Sequence, residues 1–171
     1  MSNMEKEYRH NGIARVRLPR VHALFELREK LTHKLQLHFN SPELTLETLH
    51  KYIPDDQRDE TGWFLSQYFW KKDFCRNIAA ENYDLLMRFV GPDIYFQTKP
   101  YLRIARPNTE GDNIGFHRDT LYGQSPYEVS IHVPLTNLGK NSCLRFWKGS
   151  HLRPDGEFKL TEKDTDSVKK G

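Results

Sequence analysis

Cysteine is scarce in this sequence. Only Cys75 and Cys143 occur among 171 residues, far apart in the chain. That count excludes a disulfide-stapled scaffold, and with no secretion signal in front it predicts two ordinary thiols in a reduced, cytoplasmic protein. Long apolar runs are missing as well, and residues 1–20 carry repeated charges where an apolar signal core would stand. No membrane association is expected. Charge of one sign never collects into a block: 26 Lys and Arg alternate with 23 Asp and Glu for a net +3. Without a basic stripe, nucleic acid is not an expected partner. Repeats and low-complexity segments are absent too, which excludes a disordered tail and leaves a soluble globular chain of one-domain size, residues 1–171.

What the chain does have is a change of texture near Pro92. Apolar residues at Leu24, Leu27, Leu31, Leu35 and Phe39 recur every three or four positions, predicting a helix over Val21 to Phe39. Ser41-Pro42-Glu43 offers a cap, a first-turn proline and a first-turn acid, predicting a second helix to about Tyr52. Two more are expected over Asp55 to Trp70 and Asp73 to Val90, the last stopped by Gly91-Pro92. Trp63, Phe64, Tyr68, Phe69 and Trp70 would suit a cofactor or carbohydrate, yet their spacing also suits core packing. Residues 1–92 are thus expected to be a mainly helical support.

Beyond Pro92 the runs Ile94 to Lys99, Tyr101 to Arg106, Tyr127 to Leu135 and Cys143 to Trp147 are rich in β-branched and aromatic residues and broken by Pro, Gly and Asn. Such runs predict strands of an antiparallel sheet or barrel across residues 93–152. Alternation would place Arg103 with Ala105 on one face and Ser130 with His132 on another. Residues 153–171, charged and nearly free of apolar side chains, are expected to be loop or a truncated tail.

His117-Arg118-Asp119 carries the candidate chemistry. In extended backbone, positions i and i+2 point the same way, so an imidazole nitrogen and a carboxylate oxygen can converge on one metal while the arginine faces away. Two histidines and a carboxylate on one face of Fe(II) leave coordination positions open for a chelating co-substrate and oxygen. A bare His-x-Asp is weak evidence, expected about once in every two chains of this composition. Its surroundings carry more.

The stretch Gly115 to Gly123, then Glu128 to Asn137, then Asn141 to His151 with its Gly149-Ser150-His151 signature, resembles the order found in the phytanoyl-CoA dioxygenase family. The resemblance covers about Tyr101 to Leu152, and Lys148 stands where that family usually has proline. It implies an α+β fold: N-terminal helices packed on a double-stranded β-helix, a cupin-like jelly-roll, incomplete at its C-terminal side. It also implies an Fe(II)- and 2-oxoglutarate-dependent dioxygenase that hydroxylates a small molecule, with His117 and Asp119 as metal ligands. By the same analogy Arg103 and Ser130 would hold the 2-oxoglutarate. Each has a plainer alternative, a solvated arginine and an ordinary strand serine. His132 could face the cavity or be a hydrogen-bonded core histidine, and His151 is a loop feature of the signature, not a ligand. Tyr122 and Tyr127 could line a pocket or simply pack.

The family's third ligand, a late histidine, and the arginine after it have no counterpart between Leu152 and Gly171. Three expectations follow: a piece of a longer enzyme, a shortened non-catalytic binding module on the same jelly-roll, or a partner chain that completes the site. A metal hydrolase fits less well, since no second histidine pair or cysteine cluster accompanies the motif. Substrate identity and oligomeric state are not readable.

Overall fold

The leucine period predicted from the sequence does generate a helix. In the computed structural model, which describes residues 2–100, 102–109, 112 and 116–158, five α-helices form among the described residues. They are α1 (Asn3–Asn11), α2 (His22–His38), α3 (Arg58–Trp70), α4 (Phe74–Glu81) and α5 (Tyr83–Val90). The chain divides into two units. One takes Arg17–Asn108 and His132–Cys143, the other the described parts of Met1–Val16, Thr109–Ile131 and Leu144–Gly171.

The first unit holds the main apolar core. Leu27, Leu31 and Leu35 of α2 are buried, and Leu65 and Phe69 of α3 and Phe74 of α4 belong to the same cluster. Full burial of one such side chain stabilises by about 1.5–3 kcal/mol. Val21 offers no side-chain cap to α2. A carboxylate from another helix does that work: Ala23 N–H donates to both oxygens of Glu81, at 3.0 and 3.1 Å. Next to it the Asn82 amide accepts from Arg20 N–H at 3.1 Å and donates to Arg20 O at 3.0 Å.

Asn82 is also why one expected helix is two. Its amide group donates to Ile78 O at 3.0 Å while its backbone leaves helical geometry, so the span Asp73 to Val90 breaks into α4 and α5. Gly91, at φ 89°, ends α5 as expected, its N–H donating to Met87 O at 2.9 Å. The helix predicted from Ser41 is not formed. Thr45 and Thr48 bond to each other's backbone and hydroxyl, and Gln36 donates to Pro42 O and Leu44 O, so side chains compete with the helical ladder. Turns and a short 3-10 segment, Leu49–Lys51, take its place and still bury Leu44, Leu49 and Ile53. Among the aromatics at 63–70, Phe69 is buried and Phe64, Tyr68 and Trp70 pack against the core, while Trp63 is exposed.

The expected double-stranded β-helix is contradicted: among the described residues there is no β-strand. Strand composition needs a neighbouring strand to satisfy backbone N–H and C=O groups and cover one face. Here the runs lie largely uncovered, with Tyr95, Tyr127, Ile131, Leu144 and Phe146 all exposed. The two-residue alternation survives in one run without a sheet. Leu102 and Ile104 pack against the helical core and Arg106 donates to Asp55 Oδ1 at 2.6 Å, whereas Arg103 and Ala105 face solvent. The tail expected to be loop, residues 159–171, lies outside the described residues. No described helix is long and apolar enough to cross a membrane.

Candidate functional site

The second unit is organised on α1. Ser2 and Glu5 form a capping box, Ser2 Oγ accepting from Glu5 N–H at 3.3 Å and Glu5 Oε2 accepting from Ser2 N–H at 2.7 Å. Gly12 closes the other end at φ 75°, its N–H donating to Tyr8 O at 2.8 Å. That glycine is needed twice over. Its backbone is left-handed, and a Cβ there would lie 2.5 Å from His151 Nδ1.

The Gly-Ser-His turn docks on this helix end. Gly149, at φ 77°, donates its N–H to Asn11 O at 2.9 Å, and His151 Nε2 donates to Arg9 O at 2.9 Å. His151 thus ties the turn to the end of α1. Residues Ser150–Leu152 form a 3-10 turn.

Arg118 is extended, at φ −109° and ψ 137°, and Asp119 opens a short 3-10 helix, Asp119–Tyr122. The extended residue brings its two neighbours together: His117 Nε2 lies 3.5 Å from Asp119 Oδ1. Adjacent donors around a six-coordinate first-row ion stand roughly 3 Å apart, given bonds of about 2 Å. The spacing therefore suits two donors of one metal. The imidazole is mostly covered, at 17% side-chain exposure, and the carboxylate is open at 53%, so the pair is reachable from solvent. Ser130 Oγ donates to the second carboxylate oxygen, Asp119 Oδ2, at 2.9 Å. Beside it the Thr120 hydroxyl is buried with no hydrogen-bond partner among the described residues.

Three of the four candidates, His117, Asp119 and Ser130, are thus brought together. Arg103 belongs to the other unit, where it is exposed, and so does His132, exposed where a core histidine was the plainer expectation. Tyr127 is exposed. Gly115 lies outside the described residues. No set of three or more His, Cys, Asp or Glu able to hold a metal exists among the described residues, where His117 and Asp119 stand as a pair. A shallow concavity on the outer face of α2, between Phe25, Arg28, Thr32 and Gln36, includes none of the candidates.

Sequence reasoning passed over the part played by Arg118 and by α1. The capping box Ser2-x-x-Glu5 and the following Gly12 were legible signals for the helix. Nothing local signalled what Arg118 would touch. Comparison with protein-family models and searches of curated proteins and of solved structures give no match for this chain.

Proposed function

We propose that His117 and Asp119 are two donors of an Fe(II) site in a 2-oxoglutarate-dependent dioxygenase that hydroxylates a small molecule. The observation that carries this is the 3.5 Å approach of His117 Nε2 to Asp119 Oδ1 across an extended arginine. Iron with 2-oxoglutarate bound there would supply oxygen activation toward a C–H bond. This chain's residues do the holding. His117 offers a nitrogen, Asp119 an oxygen, and Ser130 keeps the carboxylate turned by occupying its other oxygen. Ser130 remains a proposed grip on 2-oxoglutarate; the guanidinium of Arg103, the other grip expected from the sequence, belongs to the other unit and is not assigned to this site. Ser130 has a single proton, so donating it to a co-substrate would release Asp119. The third ligand, a histidine with no counterpart in this chain, is assigned to a partner chain. We place the protein in the cytoplasm, where both free thiols stay reduced.

A non-catalytic binding module is the second reading, favoured by the lack of a third donor among the described residues. Anaerobic addition of Fe(II) and then 2-oxoglutarate, followed by visible absorption, separates the two. A charge-transfer band that vanishes in His117→Ala supports the dioxygenase. Metal binding with no band on adding 2-oxoglutarate supports the module.

A further inference from the structure

We propose that Arg118 is a positioning residue: it aims the His117–Asp119 pair by fastening the tripeptide to the Gly-Ser-His turn. This rests on the metal-site reading of that pair. The extended backbone sends the Arg118 side chain away from its two neighbours, and the guanidinium finds a partner on every side. Nη2 donates to Ser150 O and, at 2.7 Å, to Arg153 O, while Nη1 donates to Asp155 Oδ1. The guanidinium carbon sits 3.9 Å from the centre of the Phe158 ring. With only 17% of the side chain exposed, these contacts are sheltered enough to count for more than a surface pair.

The physical consequence follows from the backbone. Rotation about either torsion of Arg118 would swing His117 away from Asp119, so holding the side chain at four points holds the donor separation. The turn it grips is itself fastened to α1, through Gly149 to Asn11 and His151 to Arg9. A planar fork with five N–H groups can serve two carbonyls, a carboxylate and a ring face together. A lysine ammonium cannot reproduce that set.

Titration calorimetry with Co(II) on the whole chain, paired with thermal melts of the metal-free protein, tests the inference. Arg118→Met is expected to weaken Co(II) binding by about 10–100-fold while still melting cooperatively. Arg118→Lys should recover only part of that loss. Asp155→Ala removes one partner at an exposed position and should cost less. Adding it to Arg118→Met should cost nothing more, because the two act through one contact. Wild-type affinity in a folded Arg118→Met overturns the inference, and if His117→Ala abolishes binding the metal site itself stands. Should Arg118→Met fail to fold, unchanged affinity in both Arg118→Lys and Asp155→Ala overturns it. No Co(II) binding by wild type overturns inference and metal site together.

Discussion

A serine hydroxyl has one proton to give, and at Ser130 it goes to Asp119 Oδ2. Ser130→Ala should therefore let the carboxylate turn and weaken Co(II) binding about 10-fold in calorimetry, with Ser130→Thr close to wild type. Gly12 offers a cleaner steric case. An alanine there meets both a left-handed φ of 75° and the His151 ring at 2.5 Å, so Gly12→Ala should lower stability by about 1–3 kcal/mol in urea unfolding. The two thiols should differ in kind. Cys143 is exposed and should be alkylated first, Cys75 more slowly. Burial pushes the Cys75 thiol up, so the folded chain keeps that proton to higher pH than the unfolded chain. The stabilisation from the protonated thiol is complete below the unfolded pKa and is lost as pH rises through the folded one. Alkaline urea titrations should show this loss in wild type and not in Cys75→Ala.

At the scale of elements, tertiary partners decide what local pattern leaves open. Asn82 is 3% exposed and its amide satisfies Arg20 and Ile78, so Asn82→Ala should cost about 1–3 kcal/mol and loosen the start of α2. Urea unfolding followed by circular dichroism checks it. The same residue shows why the sequence predicted one helix from Asp73 to Val90. Besides its local bond to Ile78, Asn82 bonds Arg20, 62 residues earlier, a partner no local window contains. The stripe on α2 and the stop at Gly91 were legible because each is a local matter of period or backbone freedom. The strand-like runs after Pro92 misled for the opposite reason. Valine, isoleucine and aromatic content reports a preference for a pleated neighbour, and among the described residues no neighbouring strand is present.

For the molecule as a whole, the convergence of His117 and Asp119 was legible and its support was not. His-x-Asp in extended backbone converges by geometry alone, which holds here although the sheet expected around it does not form. The fastening of Arg118 to Ser150 and Asp155 spans 32 and 37 residues, and α1 reaches the same turn from 142 residues away through His151. Such contacts have no signature in a single sequence. The most direct test of the metal site is nuclear magnetic resonance of the labelled chain during addition of paramagnetic Mn(II). Selective broadening of His117, Asp119 and their neighbour Ser130 at low metal ratio, abolished by His117→Ala, is the predicted result. Broadening centred on other residues, or none at all, would contradict it.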